Sequence, residues 1–103
     1  MIALPTDLSR YREEGGAEFG FTRDMPGYFQ LWPADEVERW NQEYQVPEYA
    51  PGFTGFGSDG GGEMLAFDSG GRVYMIPFVG MSVEDARMIA GSWSEVVARI
   101  TDE

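Results

Sequence analysis

The sequence predicts an α+β fold: an antiparallel sheet, a meander of about four or five strands, packed by helices. Three observations predict it. Short runs of β-branched and aromatic residues are separated by the tight turns Asp59-Gly60-Gly61-Gly62 and Asp68-Ser69-Gly70-Gly71. Connections this short force antiparallel neighbours, because a parallel crossover needs about a dozen residues or more. Apolar residues at helical spacing mark segments on either side of the strands.

Pro5 to Glu14 reads as a helix with Leu4, Leu8 and Tyr11 on one face, ended by Gly15-Gly16. Phe19-Gly20-Phe21 is a short extended piece. Tyr28 to Trp32 is a strand with Phe29 and Leu31 on one side. Pro33 cannot donate a ladder hydrogen bond, but it suits the first turn of a helix, where Asp35 and Glu36 meet the positive end of the dipole. Val37, Trp40 and Tyr44 are expected to face the core, and Asp35, Arg39, Gln42 and Glu43 to face water. Pro47 and Pro51 break the chain into a loop. Phe53 to Ser58, Glu63 to Asp68 and Arg72 to Pro77 are the strands of a meander. Ser82 reads as the N-cap of a long C-terminal helix, with Asp85 completing a start like a capping box. Ala86, Ile89, Ala90, Trp93, Val96, Val97 and Ile100 would form its apolar stripe and lie across one face of the sheet, with Glu95 and Arg99 paired outside.

The 103 residues fit one domain, 1–103, and 43% hydrophobic residues with 15% aromatics supply enough apolar surface for one core. There is no cysteine, histidine or lysine. That removes disulfides, thiolate and imidazole metal ligands, the commonest neutral-pH base, Schiff-base chemistry and the P-loop lysine. Eighteen acids against seven arginines give a net charge of −11. Such a field repels nucleic acid and anionic membranes and steers a basic protein inward; it also serves solubility. No apolar run approaches the roughly 20 residues of a membrane span, and Met1-Ile2-Ala3-Leu4-Pro5 does not read as a signal peptide, so a cytoplasmic protein is expected. No cofactor is expected.

Several motifs invite chemistry. Gly55-Phe56-Gly57-Ser58-Asp59-Gly60 matches G-x-G-x-x-G, but a dinucleotide site needs a helix next, and Glu63 to Asp68 reads as a returning strand. Asp59, Glu63 and Asp68 supply hard oxygen ligands for calcium, without EF-hand spacing; at the start of glycine-rich turns, Asp59 and Asp68 read better as turn formers. Two carboxylates suffice for glycoside hydrolysis, yet nothing in the sequence places a pair in one cleft. Tyr28, Trp32, Tyr49, Phe53 and Phe56 offer either an aromatic binding surface or ordinary core, Tyr49 being the most exposed by its place between prolines. Without a nucleophile–base set, the chain reads as a non-enzyme.

The chain resembles the SUKH superfamily, of the Smi/Knr type. The resemblance runs through Leu4-Pro5-Thr6-Asp7-Leu8, Leu31-Trp32 with Pro33 to Val37, and Asn41 to Tyr44. Its most specific piece is the hairpin Phe56 to Asp68, with Gly57, Asp59, Gly60, Gly61, Gly62 and Asp68 as its structural motif. Gly71 to Pro77 and Ile89 to Val96, including Trp93, complete it. The family pattern carries a longer helix before the Leu-Pro step, so this is a short version with an abbreviated N-terminal helix. The resemblance implies a sheet packed by helices and a role as an immunity protein that binds and neutralises a cognate toxin domain. Many such toxins are basic nucleases. It also implies the alternative of a regulatory or scaffold module acting through protein contacts, and it carries no catalytic residues. Loops on a rigid scaffold commonly carry recognition, so Val46 to Gly52 and the tight turns are the expected contact regions. Glu43, Glu48, Tyr49, Asp59 and Glu63 are the candidate partner-binding residues. A monomer or weak homodimer is expected, since an uncovered apolar face would imply a dimer.

Overall fold

A computed structural model describes residues 4 to 101. Six strands form one sheet in sequence order, every neighbour antiparallel: β1 (Phe19–Phe21), β2 (Tyr28–Leu31), β3 (Thr54–Ser58), β4 (Glu63–Phe67), β5 (Val73–Pro77) and β6 (Arg87–Ala90). Helix α1 (Thr6–Glu13) precedes the sheet. A 3₁₀ turn (Ala34–Glu36), α2 (Val37–Glu43) and α3 (Val46–Tyr49) lie between β2 and β3. Helix α4 (Trp93–Val97) follows β6. The α+β meander is as the sequence predicts; the sixth strand and the helical turn after Val46 are additions.

Strand alternation sends side chains to two cores. Phe29, Leu31, Phe56, Leu65, Phe67, Val73 and Met75 join Leu8 of α1 and Trp93 and Val96 of α4. Met64, Ala66 and Ile76 point the other way, to Val46 and Ala50 at the two ends of the α3 segment and to Met81. The strands β4 and β5 are therefore apolar on both faces, which accounts for their nearly continuous hydrophobic runs.

The sheet is curled. Arg99 Nη1 donates to the carbonyls of Met25, between β1 and β2, and of Ile89 in β6, both at 2.9 Å. One guanidinium thus joins the two ends of the strand order. Beside it Thr22 pairs with Ile100, and the N–H of Thr101 donates to the carbonyl of Phe21 at 2.9 Å. These bonds occupy polar groups on the β1 and β6 edges that would otherwise stand open to another chain.

The long C-terminal helix is not present. Ser82 opens only a 3₁₀ turn (Val83–Asp85), and the chain then extends as β6 along β5. The outer edge of β5 presents unpaired backbone groups inside a packed domain, and pairing them overrides the helical propensity of this stretch. A shift in register between Val73 and Tyr74 marks a bulge in the pairing. The helix starts at Ser92 instead. The Ser92 hydroxyl accepts from the N–H of Glu95 at 3.2 Å, and Glu95 Oε1 accepts from the N–H of Gly91 at 3.1 Å, satisfying two donors at the helix entrance. Ala90, Trp93 and Val96 are still buried, and Glu95 still lies 3.9 Å from Arg99.

Helix α2 is fastened to the sheet by a buried amide. Asn41, 3% exposed, donates Nδ2 to the carbonyls of Val37 and Gly55 and accepts from the N–H of Gly55, all at 2.8 Å. The strand irregularity at Gly55 to Gly57 frees these backbone groups from the ladder, and Asn41 takes them up. Gly57 is required beside it, since a Cβ there would come 2.5 Å from the carbonyl oxygen of Gln30.

Asn41→Ala is expected to lower stability by about 2–4 kcal/mol, because the Gly55 donor and acceptor are left buried without partners. Asn41→Asp does not repair the loss at neutral pH, since a carboxylate cannot donate to the two carbonyls. Urea denaturation checks this: the midpoint should fall with an unchanged slope, and an unshifted midpoint would deny the amide its role.

Candidate functional site

The 3₁₀ turn, α2 and α3 carry Asp35, Glu36, Glu38, Glu43 and Glu48 against a lone arginine, Arg39. Running beside these acids is a stack of rings. Trp32 leaves the end of β2, Trp40 and Tyr44 lie one helical turn apart on α2, and Phe78 follows β5. Tyr44 stacks on Trp32 at 5.9 Å between centroids and on Trp40 at 5.7 Å, with interplanar angles of 18° and 27°, and meets Phe78 at 4.7 Å. Trp32, Trp40 and Phe78 are half-buried and Tyr44 is 39% exposed, so the stack roofs the second core and is partly open to solvent. Helical spacing gave Trp40 and Tyr44 a core-facing role. They do lie on one face of α2, where they meet Trp32 and Phe78, but the cover is partial and Tyr44 stays exposed.

The stack already holds a cation. The Arg39 guanidinium carbon lies 5.0 Å from the Trp40 ring centroid. Its Nη2 bonds Glu36 Oε1 at 3.1 Å and its Nε lies 4.0 Å from Glu43. The Trp40 indole N–H also donates to Glu36 Oε1, at 3.2 Å.

The five candidate residues do not form one site. Glu43, Glu48 and Tyr49 share the α2–α3 segment; Tyr49 is 52% exposed, as its place between prolines predicts. Gln45, which joins the two helices, is held at φ 58°, a left-handed conformation with no sequence signal such as glycine. Asp59 is directed into its own turn, where Oδ1 accepts from the N–H groups of Gly61 at 2.8 Å and Glu63 at 3.2 Å. Gly60 in this turn has φ 81°, and a Cβ there would meet the Tyr28 ring at 2.8 Å. Gly61 and Gly62 complete the turn. Glu63 alternates with Met64 and so faces the α1–α4 side, 3.5 Å from Arg87.

A second apolar surface was not singled out by the sequence. Phe19 and Phe21 are 63% and 52% exposed on β1, and Phe21 meets Tyr28 at 5.2 Å. Among the described residues the main packing partner of β1 is β2, while α2 packs on β3. The signal was the alternation Phe19-Gly20-Phe21, which fixes the shared face without saying whether anything lies over it.

A wide cleft of about 950 Å³ opens at the other end of the sheet, between the start of α1, the Pro47–Phe53 region and the β4–β5 turn. Its two acids are both engaged. Asp7 Oδ2 accepts from the N–H and hydroxyl of Ser94, at 3.0 and 3.2 Å. Asp68 Oδ1 accepts from the N–H groups of Gly70 at 2.9 Å and Arg72 at 3.0 Å; Oδ2 accepts from Arg72 Nε at 3.0 Å and the Tyr74 hydroxyl at 3.2 Å. Desolvation raises the Asp68 pKa, but those hydrogen bonds and the Arg72 charge together outweigh it, and the carboxyl is held below its ordinary value. Among the described residues no group of three or more acids is placed to hold a metal ion, and no helix is long and apolar enough to cross a membrane.

No protein-family model and no curated protein matches this chain.

The Asp68 geometry predicts a pH dependence. A carboxyl whose pKa is lower folded than unfolded stabilises the fold above its unfolded value and loses that contribution as pH falls through the folded value. Asp68→Asn should therefore be less stable than wild type at neutral pH, with the gap narrowing as the pH falls through the acid range below about 5. Urea midpoints across that range test it; a gap independent of pH would show that ionisation of Asp68 contributes nothing.

Proposed function

We propose that this protein acts by binding another protein and not by catalysis, and that it is an immunity protein of the SUKH type which neutralises a basic toxin domain. The observation that carries this reading is the segment from the 3₁₀ turn through α3, where five acids flank a partly open aromatic stack. Aromatic anchors ringed by charge are what protein interfaces use, and acid in excess raises the association rate with a basic partner. The net charge of −11 favours the same class of partner over nucleic acid or an anionic membrane.

The resemblance to the SUKH superfamily supplies the toxin. A sheet packed by helices agrees with that resemblance, although the same architecture occurs in unrelated α+β proteins and by itself names no function. The alternative is a regulatory or scaffold module of the same fold without a toxin. Both readings place the protein in the cytoplasm as a monomer or weak homodimer, without a cofactor.

Coexpression with the product of the adjacent gene tests the proposal. The neighbour is expected to arrest growth when expressed alone and to be neutralised when this chain is present. The purified pair should weaken as salt is raised. A harmless neighbour that nonetheless binds would favour the regulatory module. A toxic neighbour that this chain neither binds nor neutralises would overturn the immunity reading.

A further inference from the structure

We infer that the α2 face, with Trp40 and Tyr44 at its centre and Glu36 and Glu43 at its rim, docks an arginine-rich segment of the partner protein. This inference rests on the proposed reading of the chain as a binder of a basic protein. It adds the face and the side chain that this face selects.

The chain displays the docking mode on itself. Arg39 lays its guanidinium over Trp40 at 5.0 Å while Glu36 accepts from its Nη2 at 3.1 Å. A planar cation stacks on a ring and turns its N–H groups outward, in its own plane, to a carboxylate at the rim, which an ammonium cannot do as well. The neighbouring ring, Tyr44, stacks on Trp40 and remains 39% exposed, so a second guanidinium can continue the arrangement. Glu43 is the carboxylate in place for it. Its side chain is 58% exposed, and its contact with Arg39 is loose at 4.0 Å.

Charge selects among the occupants of this surface. A second copy would bring another chain of net charge −11 against the same acids. A neutral apolar segment would take water from the Glu43 carboxylate and leave it only the loose 4.0 Å contact with Arg39. An arginine-rich segment satisfies both the rings and the rim.

The test is titration with nona-arginine and nona-lysine peptides, followed by calorimetry at low and moderate salt. Nona-arginine should bind several-fold more tightly than nona-lysine, because lysine supplies charge without stacking. The double variant Glu36→Gln/Glu43→Gln should weaken nona-arginine about tenfold. The control Glu13→Gln/Glu14→Gln removes the same charge at the end of α1, on the other side of the sheet, and should change binding less than about twofold. Tyr44→Leu should weaken binding and abolish the preference for arginine, while Tyr44→Phe, which keeps the ring, restores both. Urea midpoints confirm that each variant is folded.

Equal losses in the two double variants, or equal affinity for the two peptides, would overturn the docking face and leave the basic-partner reading standing. Absence of nona-arginine binding to the wild-type protein at low salt would overturn that reading as well.

Discussion

The indole of Trp93 sits inside the curl of the sheet, and three rings meet it at steep angles. Tyr11 of α1, Phe29 of β2 and Phe56 of β3 lie 5.4, 5.4 and 5.7 Å away, at interplanar angles of 77°, 84° and 85°. Edge-to-face contacts align the positive rim of one ring with the negative face of another, so each orients its neighbour as well as filling space. Every element on that side is positioned by this cluster: α1 through Tyr11, the strands through the phenylalanines, and α4 through Trp93 at its first turn. Burying a side chain of this size contributes about 3–5 kcal/mol, a large part of what holds a domain this small together.

The opposite side is organised differently. No single ring dominates there; Asn41 locks α2 to the strand irregularity at Gly55, and aliphatic and methionine side chains fill the space below. The helices reach only part of the way across, so Trp32, Trp40, Tyr44 and Phe78 finish the core as a half-open stack and Phe19 and Phe21 are left uncovered. A closed side and an open side follow from one arrangement of elements. The open side carries the acids of α2 and α3, and the proposed function uses it.

Much of the fold was legible because local chemistry determines it. Asp59 and Asp68 each bond their own turn backbone, as aspartate opening a glycine-rich turn predicts, and the hairpins follow from those turns. The chain after Ser82 was misread because the positions suited to one face of a helix also include residues a strand can bury. Ala90 is buried from β6 and Trp93 from α4, so the apolar stripe is intact while the backbone beneath it changes. What decided between them was the free edge of β5, a partner distant in sequence. The site was legible only in parts. Tyr49 is exposed as expected, whereas the exposure of Tyr44 depends on how far α2 reaches, and the orientation of Glu63 on strand parity. Spacing gives the face a residue occupies; what covers that face is a tertiary fact.

The pairing of Thr22 with Ile100 has a consequence for how the protein is made. The first strand gains its outer partner only when the last part of the chain arrives, and the Arg99 bridge between Met25 and Ile89 arrives with it. On a ribosome the early hairpin must wait with its outer edge unpaired until residues far downstream have been synthesised. Loop closure over that separation is slow compared with the local turns of the meander. The nascent protein therefore acquires its central strands first and its closed outline last. For that interval the open edge has to stay out of association with other chains, and the excess of acids over arginines along the chain works against such association.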